Sequence, residues 1–300
     1  MPKTFVIILN WNSLADTAEC LTSLRASAFP DSSIALVDNA STDGSGQLLK
    51  EQFPEIILLR NNENLGFAEG NNVGIRQALI SGVDYVMLLN NDTVAEPSCV
   101  SILVKRLEAD SAVGIVGPKI YFSGTNVIWF AGGMLNRLTG FTYHLGERRV
   151  DQGQFNQPRQ IDFVSGCAML VRREVFEKIG FLDPDYHHSH EDADFCLKAK
   201  KAGFKVVYEP RSVIHHKLAR SSGGRKSPFY LYYRTRNHLV FKKKQNIKAA
   251  FFWPVFSLLV IKRTFGSLLL GRPKGTWATL TGIYDYYAGN WGRGSGDKFR

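Results

Sequence analysis

Asn90, Asn91 and Asp92 follow directly on an unbroken apolar run at 85–89. A run with no polar face reads as a strand buried on both sides, and open α/β sheets present ligand-binding groups at the carboxyl ends of such strands. Asn90 and Asp92 stand two apart, so a bent strand end aims both at one point. A carboxylate beside an amide oxygen is a hard-oxygen pair, suited to magnesium or manganese holding a diphosphate. A polar turn that merely stops a strand uses the same residue types, and on this tripeptide alone it is the commoner outcome. The rest of the chain shifts the balance toward chemistry.

A second concentration lies at 187–194, where His187, His188 and His190 precede Glu191, Asp192 and Asp194. Acids in a first helical turn complement the helix dipole, with Ser189 or His190 as the cap. Three acids in four residues, behind three histidines in four, exceed what capping needs. His215 and His216 form a further pair, just beyond an expected last strand at 205–208.

Positioning these groups requires strands that end together. Apolar runs at 5–9, 34–38 and 56–60 precede the one at 85–89, and the second of them ends in Asp38. Leu14, Ala18, Leu21 and Leu24 recur at helical spacing behind Asn12 or Ser13 as N-cap. Pro97 opens another helix. Strand and helix alternate, which predicts an α/β fold with a mostly parallel central sheet and helices on both faces. Gly66, Gly70 and Gly74 are four apart, which excludes a G-x-G-x-x-G fingerprint or a Walker loop. On a helix they share one face and permit close packing. Periodicity fades over 114–161, around Gly132, Gly133 and a polar stretch at 148–160, and an irregular segment beside an acceptor site is expected there. Apolar character returns at 161–171, a strand interrupted by Ser165 and Gly166. Glycine in such a strand marks the close approach of another backbone or a ligand.

At 44% hydrophobic and 21% charged, 300 residues make one large globular domain or one domain with an appendage. Cys20, Cys99, Cys167 and Cys196 show no metal-type spacing, which predicts buried thiols in a reducing compartment. The apolar core at 5–9 is too short for a signal peptide, so a cytoplasmic location is expected. The net charge of +10 is unevenly placed: residues 210–284 hold 15 Lys and Arg and no Asp or Glu, leaving 22 basic against 27 acidic residues elsewhere. A basic C-terminal part on a mildly acidic body implies an anionic partner. Aromatics interleave with basic residues over 230–248, a composition open to nucleic acid. The apolar run at 249–261 that follows is too short to span a bilayer, which takes about 20 residues. Flanked by Lys242, Lys243 and Lys244 on one side and Lys262 and Arg263 on the other, it suits an anionic membrane interface better than nucleic acid. A helical hairpin packed on the body is the alternative.

Several pieces in fixed order resemble family 2 glycosyltransferases of the GT-A (Rossmann-like) fold, in the rhamnosyltransferase-like branch. They are Leu9-Asn-Trp-Asn12, Val37-Asp-Asn-Ala-Ser-Thr-Asp-Gly-Ser45, Asn64-Leu-Gly-Phe67 with Gly70-Asn-Asn72, and Leu89-Asn-Asn-Asp92. Ser165-Gly166, His190-Glu-Asp-Ala-Asp-Phe195, the histidine pair, Tyr232-Tyr233 and Arg236-Asn237 continue the series. The resemblance implies a catalytic domain over 1–222 and a basic, mainly helical extension over 223–300. It implies a donor site of Asn10, Asn12, Asp38, Asn39, Asn64, Gly66, Asn90 and Asn91, with Asp38 at the nucleoside. Asn90 and Asp92 occupy the place of the family's Asp-x-Asp metal motif. Asn90 removes one charge there, which leaves Asp92 as the main ligand of Mg2+ or Mn2+. His216 is similar to a third ligand, its spacing to Ser221 suiting the family better than that of His215. Asp192 stands at the family's catalytic base, with Ser165, Gly166 and Glu191 on the acceptor side.

The activity implied is inverting transfer of a sugar from a nucleotide-sugar donor to a hydroxyl of a glycan or lipid-linked acceptor in cell-surface polysaccharide synthesis. Rhamnose from dTDP-rhamnose is favoured, with a UDP-hexose or galactofuranose as alternatives. A non-catalytic, membrane-associated nucleotide-sugar-binding protein is the rival reading. The expected setting is peripheral, on the inner face of the plasma membrane, with no nucleic-acid partner and with oligomer formation left open.

Overall fold

The computed structural model describes residues 3–26, 32–217, 224 and 227–300. The expected domain boundary at 222/223 and Ser221 lie outside the described residues. Helices on both faces leave the first strands no solvent side, which is why they are apolar throughout. In chain order β1 (Thr4–Asn10), α1 (Leu14–Arg25), β2 (Ser32–Asp38), α2 (Ser45–Gln52), β3 (Ile57–Arg60), α3 (Gly66–Ile80) and β4 (Tyr85–Asn90) alternate as the sequence predicts. Parallel pairing of β1 with β2 sets Asn10 opposite Asp38, and pairing with β4 sets Leu9 opposite Asn90. The polar strand ends therefore meet along one edge.

After β5 (Thr93–Ala95) and α4 (Cys99–Ala109) comes β6 (Val113–Phe122), a ten-residue strand. This corrects the expectation of an irregular 114–161 segment. Gly114, Gly117 and Pro118 read as punctuation, yet the glycines are there for packing. An added Cβ would lie 2.7 Å from Val175 Cγ2 at Gly114 and 2.2 Å from Val164 Cγ1 at Gly117. Three short strands follow, β7 (Ile128–Phe130), β8 (Gly133–Leu135) and β9 (Thr142–His144), and then β10 (Arg159–Gln160). The strand expected over 161–171 is confined to β11 (Ala168–Arg172), because a turn at Gly166 and Cys167 precedes it. Next come α5 (Arg173–Ile179), α6 (Glu191–Lys201) and β12 (Lys205–His216). The last strand runs past 208, through an irregularity between Glu209 and Val213, so His215 and His216 belong to it rather than lying beyond it.

The sheet order is β10-β12-β6-β11-β4-β1-β2-β3, with β5 against β12 and β7 against β6. It is parallel from β3 to β4, and β11 enters antiparallel between β4 and β6. The core is built from both faces of these central strands. All four cysteines are free and buried.

The C-terminal region is helical: α7 (Pro228–Lys244), α8 (Phe252–Leu269) and α9 (Pro273–Tyr287). Despite its basic residues α7 is a core element, with Tyr232, Tyr233, Thr235, Arg236 and Asn237 fully buried. The apolar run expected at 249–261 falls for the most part in α8, an 18-residue helix that starts at Phe252 and continues through Lys262 and Arg263 to Leu269. By length and composition α8 is apolar enough to cross a membrane, and only 17% of it is covered by the rest of the protein.

The glycine stripe of α3 packs as expected. An added Cβ would stand 2.7 Å from Leu9 Cδ1 at Gly70 and 2.6 Å from Ile7 Cγ2 at Gly74. Gly→Ala inside a helix ordinarily stabilises by about 1 kcal/mol. Gly74→Ala should instead destabilise by about 1–3 kcal/mol through overpacking against β1. A urea midpoint raised by this substitution would contradict that packing.

Candidate active site

The loop after β2 is held by side-chain hydrogen bonds that its Asn, Ser and Thr content makes possible. Asn10 is fully buried; its Oδ1 accepts from Thr17 Oγ1 (2.8 Å) and its Nδ2 donates to Ser45 Oγ (2.9 Å) and Ser41 Oγ (3.1 Å). Asn12, at φ 49°, accepts from Thr42 N–H at 2.7 Å. Asp38 accepts from Ser41 N–H at 3.2 Å. These bonds tie the ends of β1 and β2 to the loop between Asn39 and Ser45. Asn39 is the link forward: its Oδ1 accepts from Leu65 N–H (3.0 Å) and its Nδ2 donates to Asn64 Oδ1 and Gly66 O, both at 3.1 Å.

Asn39, Asn64 and Gly66 line one wall of a cavity of about 680 Å³ over the strand ends. Asn90, Asn91 and Asp92 line its floor. Pairing of β5 with β12 sets Thr93 opposite His216 and brings His216 Nε2 to 3.1 Å from Asp92 Oδ1. The ring is fixed edge-on against Trp129, with centroids 4.7 Å apart. Alternation along the strand sends His215 the other way, 3.5 Å from Glu96 and stacked on Tyr121, so His216 is the one that faces the cavity. Among the described residues no group of three or more His, Cys, Asp and Glu is placed to hold a metal unaided. A carboxylate and an imidazole in contact fit a divalent cation that draws its other ligands from phosphate oxygens.

Across the cavity lies the start of α6. Asp192 Oδ2 accepts from Gly166 N–H at 3.0 Å and its Oδ1 from Ala193 N–H at 2.7 Å. Gly166 is the glycine flagged by close approach: an added Cβ would be 3.0 Å from the Phe67 ring. Burial raises the Asp192 carboxyl above its ordinary value, against the opposing pull of those two N–H groups. Glu191 beside it is pushed well higher, first by burial and then by the Asp192 charge. Its Oε2 is buried without a hydrogen bond. Hydrogen bonds to the charged form decide which of the two ionises. With two N–H donors, Asp192 is held nearer its charged form than Glu191 is. Ser165, the other acceptor-side residue expected from sequence, also lines this half.

The loop before α6 is strained. His187, Ser189 and His190 have φ of 56°, 71° and 80° without being glycine, each costing about 1–3 kcal/mol. Residues of α7 hold it in place. Asn237 Nδ2 lies 2.7–2.9 Å from the carbonyl oxygens of Tyr186, His188 and Ser189. Arg236 Nη2 donates to the carbonyls of Asp185 (3.2 Å) and Tyr186 (3.1 Å). His190 Nε2 meets His238 Nδ1 at 2.9 Å. From the donor side, Phe67 N–H donates to His187 O at 2.7 Å. No role for Arg236 or Asn237 follows from the sequence beyond family resemblance, although a polar pair amid buried aromatics was the available signal. Trp129 and His144, from the segment expected to be irregular, Phe163, from the stretch expected to be a strand, and Phe229, Tyr230 and Arg234, from the basic region, also line the cavity and escape a sequence reading.

Residues 5–180 match the family model described as "Glycosyl transferase family 2". The chain is 29% identical over 213 residues to N-acetylglucosaminyl-diphospho-decaprenol L-rhamnosyltransferase of Mycobacterium tuberculosis, spanning 64% of this chain and 68% of that protein. Among solved structures it is similar to S. aureus TarS 1–349 in complex with UDP, at TM-score 0.60 and 17% identity over 96% of this chain and 92% of that one. GalNAc-T7 with UDP, GalNAc and Mn2+ aligns at TM-score 0.59 and 16% identity over 83% of this chain, which spans 55% of that protein. These likenesses show the GT-A fold.

Removing the clamp leaves buried carbonyls without donors, at about 1–3 kcal/mol for each unsatisfied group. Asn237→Ala should lower stability in urea by at least that amount and reduce turnover beyond what the unfolded fraction explains. A variant with wild-type turnover would show that the strained loop holds itself.

Proposed function

The chain belongs to glycosyl transferase family 2, and on that premise we propose an inverting, metal-dependent transferase that moves a sugar from a nucleotide diphosphate to an acceptor hydroxyl. Glycosyltransfer in glycan synthesis follows from that membership and from the relatives. Rhamnose from dTDP-rhamnose is the favoured donor and a lipid-diphosphate-linked saccharide the favoured acceptor; the named activity of the M. tuberculosis relative supports both. The observation that carries the reading is one cavity with Asp92 and His216 on one side and Asp192 on the other.

Asn39, Asn64 and Gly66 border the donor half, and the Asp92–His216 pair would hold Mg2+ or Mn2+ against the diphosphate. A cation bound there neutralises the leaving charge as a Lewis acid. Asp192, fixed by the Gly166 and Ala193 N–H groups, accepts the proton of the acceptor hydroxyl as it attacks. Burial raises the neighbouring Glu191 well above the ordinary carboxylate value, and Asp192 is assigned as the one base. A single displacement inverts the anomeric carbon.

The proposal includes a membrane setting. Helix α8 exposes Leu258, Ile261, Phe265 and Leu269, and α9 exposes Trp277 and Leu280. Lys248, Lys262, Arg272 and Lys274 are exposed around them, and no acid occurs from 210 to 284. Apolar burial and attraction to anionic lipid add at such a face. Lys244 is taken up internally, 2.6 Å from Asp183 and 2.5 Å from Asp185.

Asp192→Asn should lower kcat by ~100-fold or more with donor affinity kept within a few-fold. In the wild type, activity should fall as pH drops through the raised Asp192 pKa, placing the acid limb above the ordinary aspartate value of about 3.9. Asp92→Ala or a chelator should abolish turnover. Full activity in chelator would remove the metal, and normal turnover of Asp192→Asn would move the base elsewhere.

Sedimentation with vesicles tests the membrane face. Anionic vesicles should retain the protein, neutral ones much less, with partial release by salt, since each basic residue contributes ~1 kcal/mol at most. Leu258→Glu combined with Phe265→Glu should abolish retention. Recovery on neither would leave α8 without a bilayer partner, and equal recovery on both would remove the basic residues from the attraction.

A further inference from the structure

Residues 289–300 hold four glycines and one acid, a composition that lets a segment lie close against another element. Gly294 and Gly296 meet α7, where an added Cβ would run into Tyr232 Oη and Tyr233 Oη. Hydrogen bonds fix the path. Tyr233 Oη donates to Arg293 O at 2.8 Å, Ser295 N–H donates to Asp285 Oδ2 at 2.9 Å, and Gly292 N–H donates to Asp185 O at 2.7 Å. Arg293 Nη1 reaches Glu63 at 3.0 Å, next in sequence to Asn64 of the donor wall. Phe299 is buried, edge-on to Trp277 of α9.

This path delivers Arg300 to the cavity lining. Its guanidinium carbon stands 4.1 Å from the ring centroid of Trp11 and 4.9 Å from that of Phe229, both of which line the cavity too. Rings against a guanidinium fix its plane and leave its N–H edge unspent. Among the described residues that side chain has no hydrogen bond or ion pair. The one acid of its own segment, Asp297, is bound by Arg293. Burial lowers His187 and His188 to about 4, with the Arg300 charge adding to it, so the imidazoles beside Arg300 stay neutral.

Trp11 places this edge on the donor side. It follows Asn10 at the end of β1, and the sheet order puts β1 between β4 and β2. Thr17 joins Asn10 to the floor, donating to Asn10 Oδ1 at 2.8 Å and accepting from Asn91 Nδ2 at 2.9 Å. The lining as a whole holds five carboxylates and three guanidiniums, those of Arg148, Arg234 and Arg300, and Lys217 engages Asp16 at 2.9 Å. A divalent cation at Asp92 would bring these charges close to balance. Attraction for a diphosphate then depends on where each positive group stands, and Arg300 is the one of the three arginines stacked on rings of the lining.

We propose that Arg300 is a donor-binding residue, whose guanidinium edge takes a phosphate oxygen of the nucleotide diphosphate while Trp11 and Phe229 hold its plane. The inference rests on the nucleotide-sugar donor put forward above and adds a phosphate contact to the Asp92–His216 pair. A guanidinium fork matches phosphate oxygens in geometry and charge. Because residues 289–300 are bonded to α7, donor binding is coupled to the helix that clamps the loop of Asp192.

Calorimetric titration of the full chain with Mn2+ present tests this, using dTDP (or UDP, should dTDP not bind), the matching nucleoside, and inorganic pyrophosphate. Arg300 is exposed, so Arg300→Gln should keep the wild-type melting temperature. It should lose at least ten-fold in affinity for the nucleoside diphosphate and for pyrophosphate, and less than two-fold for the nucleoside. Arg300→Lys should recover part of the loss, since it keeps the charge without the planar fork. Unchanged affinity of Arg300→Gln for the diphosphate overturns the contact, and so does an equal loss for diphosphate and nucleoside. A wild type that binds neither dTDP nor UDP would sink the transferase reading instead. Pyrophosphate then decides the contact separately: no binding by the wild type, or equal binding by Arg300→Gln, overturns it.

Discussion

One amide nitrogen, Asn237 Nδ2, faces three carbonyls of a loop whose backbone is in sparsely populated conformations. Such a backbone persists only where its surroundings over-determine it. Here the determinants come from a helix more than forty residues further along the chain, with Arg236 and His238 on either side of Asn237. The loop opens α6, and α6 carries the Glu191–Asp192 pair. The orientation of the acid thus depends on side chains of a region that composition alone marks as a basic appendage. The interior penalises half-made polar networks, and here the carbonyls of Asp185, Tyr186, His188 and Ser189 are each met by a donor from α7.

The two walls of the cavity are stabilised differently. On the donor side, asparagines exchange hydrogen bonds with each other and with backbone, giving a rigid polar rim that needs no charge. The opposite wall is aromatic and cationic, drawn from β7, the turn before α6 and the start of α7. A nucleotide has many fixed polar atoms to match and suits the first wall.

Much of this was legible in the sequence where local chemistry and fold agree. The strand ends at Asp38 and Asn90, the glycine face of α3 and the acids at 191–194 read directly, because periodicity and turn chemistry are local signals. β6 was hidden, because Gly114, Gly117 and Pro118 imitate loop punctuation although the glycines serve to admit Val175 and Val164. The bonds that Asn10 and Asp38 make to Thr17, Ser41 and Ser45 were not legible, since they depend on which side chains the fold brings beside them. Least legible was α7. Charge patterning assumes that arginines seek acids or solvent, whereas Arg236 is enclosed by carbonyls and by the rings of Tyr232 and Tyr233, with centroids 5.4 and 4.9 Å away.

The insertion of β11 between β4 and β6 has a consequence for how the chain is made. On a ribosome β1 to β4 can pair among themselves as soon as they emerge, since β4 ends at residue 90. The free edge of β4 then waits for β11, which begins at residue 168, and β6 waits for β12, complete only at 216. An unpaired edge is a template for another chain. Long-range pairing of this kind is also slow. The nascent protein therefore carries an open sheet edge through a large part of its synthesis, and its yield in a cell depends on keeping neighbouring chains away from that edge.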